Sequence, residues 1–325
     1  MKRLSLALLV VVPLTAKLPG VTFAADAYPS KPVRVVVPFA PGGINDVLAR
    51  ILSQKLGAEL GTTIVIDNRG GAGGTLGSGI VAHAAPDGYT LLFSSSSTIV
   101  VSPSMYSNLT YDPIKDFSPI AEIASVGSVL VVHPSVPANS VKELIAYAKA
   151  NPGKLNYGSA GAGASQHLAS ELFKTMAGIN MVHVPYKGGG PAMADLLAGQ
   201  ISLMIELIPT ALPQIKGGKI RALAVSTPKR SPVLPDLPTI ADTLPGYDLT
   251  IWTGLLAPGG TPKEIVSRLS NATLAVLGSP DMRERLASQG AEPVAANKPE
   301  QFADYIRKEL VRWAAVVKAS GARVD

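Results

Sequence analysis

The sequence contains no cysteine among its 325 residues. Disulfides, zinc–thiolate sites, iron–sulfur clusters and thiol nucleophiles are therefore excluded. Charged residues are also scarce, at 16% of the chain against about 25% in an average soluble domain, whereas hydrophobic residues make up 47%. This composition excludes a disordered chain and predicts a large buried core.

Motifs for phosphate or dinucleotide binding and for covalent catalysis are missing as well. No G-x-S-x-G nucleophile elbow and no G-x-x-x-x-G-K-[ST] loop occur, and a G-x-G-x-x-G pattern that begins at Gly71 fails at Leu76. The four histidines show no spacing typical of metal ligands. We therefore predict that the protein holds no metal and needs no cofactor.

The N-terminus has the pattern of a secretory signal peptide. Lys2 and Arg3 precede an apolar run at 4–12, and small residues follow at 22–27. The apolar run is shorter than the ~20 residues that span a bilayer. We expect residues 1–25 to be removed as the leader, and cleavage after Ala24 and cleavage after Ala27 both fit the small-residue stretch. Without a cysteine for lipidation, the product is expected to be a soluble periplasmic protein.

The net charge is modest at +6, from 29 basic and 23 acidic residues. Loss of Lys2, Arg3 and Lys17 with the leader would leave +6 − 3 = +3, because the first acidic residue is Asp26. A small positive balance suits a small anionic ligand, whereas nucleic-acid binding usually needs a clustered basic patch. We expect no nucleic-acid partner.

Strand and helix patterns alternate along the rest of the chain. A run at 33–37 with valine at four of its five positions precedes a glycine turn and an amphipathic helix, for which Asn45 or Asp46 is the predicted N-cap. Similar strand–turn–helix units follow up to residue 225, whereas residues 262–320 are predicted to be purely helical. This order predicts an α/β fold with parallel strands and right-handed crossovers.

The length predicts two domains, because one domain usually holds roughly 100 to 200 residues. A helix-only tail cannot form its own sheet, so we expect it to fold back onto the first domain. The first lobe then comprises residues 26–125 plus 251–325, and the second lobe, residues 126–250, is inserted. Ligands of open α/β sheets bind at the carboxyl ends of strands, which places the expected site in the cleft between the lobes.

Two glycine-rich turns that join a strand to a helix are candidates for holding a carboxylate. Free main-chain N–H groups and the helix dipole converge at such a turn, and glycine lets an anion approach the backbone. Either turn alone is equally well explained as a tight connection. The candidate residues are Phe39, Ala40, Pro41, Gly42, Gly43, Asn45 and Asp46 in the first turn, and Ser159, Ala160, Gly161, Gly163, Ala164 and Ser165 in the second.

Two further groups of polar residues are candidates for the same cleft. The hydroxyls of Ser95, Ser96 and Ser97 belong to a run at 94–98 that either lines the cleft or forms a serine-rich surface loop. His167, just after the second turn, either faces the ligand or forms a hydrogen bond at the helix start. We favour the hydrogen bond at the helix start.

Several short stretches occur together in one order along the chain. They are PFAPGG at 38–43 with Asp46, YDP at 111–113 with KDF at 115–117, GS at 158–159 with HL at 167–168, VPYKG at 184–188 and GLLAP at 254–258. In this combination the chain resembles the Bug-type periplasmic receptors, the solute-binding components of tripartite tricarboxylate transporters. The resemblance covers essentially the whole chain after the leader.

This resemblance implies a type II periplasmic-binding-protein fold, in which two α/β lobes joined by crossing strands enclose a ligand cleft. It also implies an organic-anion ligand, held by the loops at 39–46 and 159–165 through main-chain N–H groups and bridging waters, and delivered to a membrane permease. Two departures from the family pattern concern the site: Ala164 replaces a common serine or threonine, and Glu206 replaces a common aspartate. Glu206 is therefore added to the candidate ligand-binding residues.

The function expected from the sequence is that of a monomeric receptor for a small carboxylate, docking transiently to permease subunits. The ligand class stays open among di- and tricarboxylates, amino acids and aromatic acids. A sensor subunit for a two-component system would have the same pocket and is not separated from a transport receptor. A hydrolase that uses Ser159 or Ser165 with His167 is disfavoured, because no motif supplies a third orienting group.

Overall fold

The structure is a computed structural model that describes residues 28–186, 188–294 and 297–320. The expected signal peptide and Lys187 of the VPYKG stretch lie outside the described residues. Strands and helices alternate through most of the chain, and the predicted α/β class is confirmed.

The strands are β1 (Val33–Val37), β2 (Ile64–Asn68), β3 (Thr90–Ser95), β4 (Phe117–Val132), β5 (Asn156–Ser159), β6 (Val182–Pro185), β7 (Leu203–Leu207), β8 (Arg221–Val225), β9 (Thr250–Pro258) and β10 (Ala291–Pro293). The helices are α1 (Ile44–Leu60), α2 (Thr75–Ala82), α3 (Ser102–Met105), α4 (Val141–Ala150), α5 (Ser165–Ala177), α6 (Gly189–Leu197), α7 (Ile208–Lys216), α8 (Lys263–Gly278), α9 (Pro280–Ser288) and α10 (Pro299–Ser320). A π-helical turn at Ser97–Val101 follows β3.

Strand β4 takes part in two sheets. From Phe117 to Gly127 it pairs antiparallel with β9, and from Ser128 to Val132 it pairs antiparallel with β7. The full strand order is β2-β1-β3-β9-β4-β7-β5-β6, with β8 and β10 also paired to β4. We propose that this change of partners marks the boundary between two lobes, with residues 126–250 as the inserted one.

The strand directions make the carboxyl ends of the two sheets face each other. Strands β1 and β3 run in the same direction as β4, because β3 and β4 are both antiparallel to β9. Strands β5 and β7 run in the opposite direction. In register, the last residue of β3 is level with Ala124 and the last residue of β7 is level with Ser128. Four residues, or about 13 Å along β4, separate these two levels.

The long C-terminal helix α10 packs against both halves of the molecule. It contacts β4 and the turn after β3, and also α5 of the second sheet. Its Phe302 ring lies edge-on to Trp252 of β9, with ring centroids 5.1 Å apart. Folding of the tail onto the first lobe was expected from the sequence, whereas the contact with α5 was not.

Two local predictions were wrong, one helix was missed, and one of two open alternatives was excluded. Helix α1 begins at Ile44 with Gly43 as its N-cap, not Asn45 or Asp46. The C-terminal region is not purely helical, because the short strand β10 pairs with β4. Helix α7 was not predicted, because prolines at its start and inside it oppose a helical assignment. The run at 94–98 is buried throughout, so it is not a surface loop.

Candidate ligand-binding site

The first glycine turn, between β1 and α1, is held in shape by Asp46. This side chain is only 4% exposed, and its Oδ2 accepts a hydrogen bond from the N–H of Gly42 at 2.9 Å. Its Oδ1 accepts from Asn68 Nδ2 at 3.0 Å and pairs with Arg50 at 2.9 Å. Partial burial opposes ionisation, but the hydrogen bonds from Arg50, Gly42 and Asn68 outweigh it and lower the pKa of Asp46. Asp46 is therefore already satisfied by the protein.

Residues 40–43 of this turn are exposed, while Phe39 and Asn45 are partly buried. The first intrahelical hydrogen bond of α1 runs from Val47 N–H to Gly43 O, and no side chain caps the helix. The preceding N–H groups of the first turn therefore have no helical partner and point out of the helix end. Asn68 was not predicted from the sequence, yet its Nδ2 also donates to Phe39 O at 3.1 Å and ties the turn to β2.

The hydroxyls that follow β3 divide into paired and unpaired groups. Ser95 and Ser97 hydrogen-bond to each other at 2.7 Å. Ser96 Oγ and Thr98 Oγ1 are buried and have no hydrogen-bond partner among the described residues. A Cβ atom at Gly74 would lie 2.7 Å from Thr98 Oγ1 and 3.2 Å from the ring of Phe39. Thr98, the last residue of the run at 94–98, therefore lies beside the first turn.

The second glycine turn, between β5 and α5, contains two glycines with positive φ, Gly161 at +134° and Gly163 at +80°. Helix α5 begins at Ser165 with Ala164 as its N-cap, and no side chain caps it. Its first intrahelical bond runs from Leu168 N–H to Ala164 O. The methyl group of Ala164 cannot cap, so the N–H groups of the first turn remain available to an anion.

Glu206 lies at the end of β7 and is 1% exposed. Its Oε1 accepts from Gln166 Nε2 at 3.0 Å and from Leu207 N–H at 2.7 Å. Its Oε2 has no partner in the part of the chain that the structure describes, and it would be 3.0 Å from a Cβ at Gly189. Burial raises the pKa of Glu206 to about 7, although the two hydrogen bonds oppose the shift.

His167 makes the hydrogen bond at the helix start that the favoured interpretation predicts. Its Nδ1 accepts from Gly163 N–H at 3.2 Å. Its ring stacks on that of His183, a residue that the sequence did not point to. Ser159 Oγ lies 2.7 Å from His183 Nε2, a distance at which a histidine can act as a base toward serine. However, Ser159 also lies 3.0 Å from Gly161 O, and since a carbonyl only accepts, Ser159 donates its hydrogen there.

Several helices in the described ranges begin without a side-chain cap, among them α2, α3, α7 and α8. Helices α4 and α9 are capped by the side chains of Ser140 and Ser279. Helices α1, α5 and α6, which follow the carboxyl ends of β1, β5 and β6, have no side-chain cap. Three uncapped helix N-termini are thus gathered at the facing ends of the two sheets, an arrangement that favours a negatively charged ligand.

Two surface cavities lie away from these turns. One, of about 420 Å³, is lined by residues of α1 and β2 and of the turn between them. The other, of about 410 Å³, lies between residues 113–119, the start of α8 and the start of α10. Neither lining includes a residue from the two glycine turns, so these cavities are separate from the candidate site.

Metal and membrane signals are absent from the described ranges. No group of three or more His, Asp or Glu residues within 28–186, 188–294 and 297–320 is placed to hold a metal ion. Over the same residues, no helix combines the length and the apolar character needed to cross a bilayer.

The two-sheet fold and the facing, uncapped turns define a solute-binding protein of the periplasmic-binding-protein type. The profile of the family described as "Tripartite tricarboxylate transporter family receptor" matches residues 48–322. The protein BugT of Bordetella pertussis is 40% identical over 303 residues, which cover 93% of this chain and 93% of BugT. The chain belongs to this family of TctC and Bug receptors, and it is a solute receptor and not an enzyme.

Solved structures agree with this assignment. The R. palustris protein Rpa4515 with adipate is 40% identical, with a TM-score of 0.86. The match covers 91% of this chain and 100% of the Rpa4515 chain. The periplasmic binding protein BugD is 39% identical, with a TM-score of 0.84, and the match covers 91% of this chain and 99% of BugD. MatC from Rhodopseudomonas palustris with bound malate is 36% identical, with a TM-score of 0.82, and the match covers 89% of this chain and 100% of MatC. The predicted two-lobed fold is confirmed by these similarities.

Proposed function

We propose that this protein is a periplasmic receptor that binds a small dicarboxylate between its two lobes and delivers it to a tripartite tricarboxylate-type permease. The observation that carries the proposal is the gathering of uncapped helix N-termini where the carboxyl ends of the two sheets face each other. Both glycine turns would then contact the same anion, one from each lobe.

The chemistry of the turns suits a carboxylate held mainly by neutral donors. Main-chain N–H groups at a helix start bring partial positive charge without the desolvation cost of a buried lysine or arginine. The hydroxyls of Ser96 and Thr98, which have no partner in the part of the chain that the structure describes, add groups that can donate or accept. The carboxyl group of Glu206, when protonated, adds a donor from the second lobe.

Dicarboxylates of four to six carbons are the proposed ligand class. Two structural relatives above 35% identity were solved with malate and with adipate, and both ligands carry a carboxylate at each end. About 13 Å separates the levels of the opposing strand ends along β4, which leaves room for such a ligand together with bridging waters.

A thermal-shift screen followed by calorimetric titration tests this proposal. Ligand-free protein, prepared by unfolding, dialysis and refolding, is titrated with malate, succinate, glutarate, adipate, citrate, glutamate and benzoate. A ligand at 100 times its Kd contributes about 2.7 kcal/mol, which for a chain of this length raises the Tm by about 5 °C or more.

Dimethyl adipate is the matched control ligand, because it keeps the carbon chain of adipate and lacks both charges. The proposal predicts that at least one dicarboxylate raises the Tm and that the diester does not. If no acid in the panel shifts the Tm of ligand-free protein, the receptor proposal is wrong for this ligand class.

Closure of the lobes and delivery to a permease are tested separately. Small-angle scattering with saturating ligand is expected to give a smaller radius of gyration than without it, because one anion would bind turns from both lobes. Uptake of labelled ligand into vesicles that carry a tripartite-type permease is expected to depend on added receptor. Ligand binding without any stimulation of uptake would favour a sensor role.

A further inference from the structure

Three nearly parallel aromatic rings lie beneath the second glycine turn. His167 of α5 and His183 of β6 stack with ring centroids 4.1 Å apart and planes 13° apart. Tyr157 of β5 stacks on His183 with centroids 4.9 Å apart and planes 15° apart. Three elements of the second lobe are thereby joined directly below the turn.

The hydrogen bonds fix the position of the proton on each imidazole. Ser159 Oγ donates to Gly161 O, so toward His183 it acts as an acceptor and His183 carries its proton on Nε2. The N–H of Gly161 also donates to Ser159 Oγ, at 3.2 Å. His167 accepts from Gly163 N–H through Nδ1, so its own proton is on Nε2 as well. His167 is neutral in this arrangement, because a ring nitrogen that accepts a hydrogen bond carries no proton.

We propose that the stacked, neutral pair His167 and His183 holds the turn Ser159–Gly163 in the shape that presents its main-chain N–H groups to an anionic ligand. The two histidines are positioning residues for ligand binding. His183 acts through Ser159 on Gly161, and His167 acts directly on Gly163. This inference rests on the proposed function, because it assigns a task to the loop that would bind the carboxylate.

The contacts that carry the inference bracket the turn from both ends. Gly161, with a φ of +134°, has Tyr186 O at 3.2 Å from the position of a Cβ, and Gly163 has a φ of +80°. Glycines in such conformations fold the turn but do not fix it, since glycine has more backbone freedom than other residues. The fixed geometry therefore comes from the groups that bond the turn, namely Ser159 and the two histidines.

Protonation of the pair would break this arrangement. A proton on Nδ1 of His167 would face the N–H of Gly163, so that two donors would oppose each other, and a charged ring would stack on its neighbour. The groups that face the pair are Tyr157 from β5 and, from α5, Glu171 and Lys174. Glu171 already accepts from Tyr157 and pairs with Lys174 at 2.6 Å, so its charge is largely compensated.

The expected protonation state agrees with the geometry. Burial lowers the pKa of His183 to about 4, with a further lowering from His167, and burial also lowers the pKa of His167. The pair is therefore expected to be neutral at pH 7.5. The turn is expected to lose its shape, and the ligand its affinity, as the pH falls toward 4.

Four variants separate hydrogen bonding from ring packing. His167→Phe and His183→Phe keep a flat ring and lose the hydrogen bond to the turn. His167→Asn keeps an acceptor near the position of Nδ1, and His183→Gln keeps a donor near the position of Nε2. His83→Gln serves as the control, because His83 is exposed at the end of α2. Adipate and malate are the probes, titrated by calorimetry at pH 7.5.

The proposal predicts about a 5- to 10-fold weaker affinity for each phenylalanine variant, the size expected for loss of one hydrogen bond. The asparagine, glutamine and control variants are expected to bind within about twofold of the parent. If the phenylalanine variants bind adipate and malate as tightly as the parent, the proposal is overturned. So would asparagine and glutamine variants as weak as the phenylalanine ones, since that result would mean that only ring packing matters.

A measurement on ligand-free protein keeps the inference testable even if no probe binds. Nitrogen-15 spectra of the imidazoles at pH 7 are expected to show both rings neutral with the proton on Nε2. The amide of Gly163 is expected to exchange slowly, and to exchange faster in His167→Phe than in His167→Asn. A proton on Nδ1 of His167, or fast exchange in the parent, would contradict the inference. Absence of ligand binding with both signatures present would count against the proposed function alone.

Discussion

Glu206 Oε1 accepts a hydrogen bond from Gln166 Nε2 at 3.0 Å, which fixes one oxygen of a buried carboxyl group and leaves the other unpaired among the described residues. Gln166 lies in the first turn of α5, and the unpaired Oε2 lies against Gly189 at the start of α6. The carboxyl group is therefore enclosed by two of the helix ends that form the candidate site. Its protonation state affects both stability and the charge of the site.

Replacing Glu206 with glutamine should make the free energy of unfolding fall less as the pH rises. The pKa of Glu206 is about 7 in the folded protein and near 4.5 when unfolded, so the folded state binds the extra proton between these values. Its contribution is full below about pH 4.5 and is lost as the pH rises through 7. At pH 8.5 we expect Glu206→Gln to be more stable than the parent by on the order of 2 kcal/mol.

Chemical denaturation at pH 6 and pH 8.5 measures this effect. Glu122→Gln is the matched control, because burial also raises the pKa of Glu122 to about 7 and its partner is Asn297, away from the two turns. In both variants the free energy of unfolding should depend less on pH than in the parent. Only Glu206→Gln should change adipate affinity. Equal adipate affinity in Glu206→Gln and the parent at both pH values would remove Glu206 from the site.

Replacing Thr98 with valine should weaken ligand binding without weakening the fold. The hydroxyl of Thr98 is buried without a partner in the described part of the chain, so its removal costs the ligand-free protein nothing and is expected to change stability by less than about 1 kcal/mol. A ligand or bridging water that uses this hydroxyl would lose about 3- to 10-fold in affinity. Ser270→Ala, which removes a comparable unpaired hydroxyl in α8, should leave affinity unchanged. Unchanged affinity in Thr98→Val would mean that the hydroxyl does not face the ligand.

Replacing Gly163 with valine should abolish binding while the protein stays folded. Valine is strained at a φ of +80°, so the turn would shift and its N–H groups would no longer converge. Gly178→Val is the matched control, because Gly178 ends the same helix with a φ of +61° and has no atom within 4 Å of an added Cβ. Both variants should lose about 1 to 2 kcal/mol of stability, and only Gly163→Val should lose at least 100-fold in adipate affinity. Tight binding by Gly163→Val, measured by calorimetry beside circular dichroism, would mean that the second turn is only a connection.

Replacing Asp46 with alanine should loosen the first turn. The variant loses the hydrogen bonds from Gly42 and Asn68 and the ion pair with Arg50, for which we expect a cost of about 1 to 3 kcal/mol. Because the folded pKa of Asp46 is lowered, the parent has this stabilisation above about pH 4 and loses it as the pH falls further, whereas the variant does not. Asp281→Ala, which removes an exposed ion pair with Lys55, should have a much smaller effect on urea midpoints. Similar losses at the two positions would contradict a special role for Asp46.

The regular elements could be predicted because their signals are local. Helix α10 (Pro299–Ser320) begins at a proline, keeps one apolar face and ends at the last residue of the region predicted to be helical. Strand β10 could not be predicted, because three residues are too few for a period and its pairing with β4 depends on residues far away in the chain. Helix α7 forms against its two prolines because its apolar face packs on β4 and β7.

The sequence by itself determined the alternation of most strands and helices, the positions of the two glycine turns and the resemblance to the family. These properties depend on residues that are close together in the chain, such as a run of β-branched residues before a glycine. Only the tertiary structure decided which polar groups remain free. It paired Ser95 with Ser97, left Ser96 and Thr98 without a partner among the described residues, and stacked His167 on His183 from a different element. The physical reason is that a buried polar atom is satisfied or unsatisfied by whatever packs against it, and packing brings together residues that the sequence keeps apart.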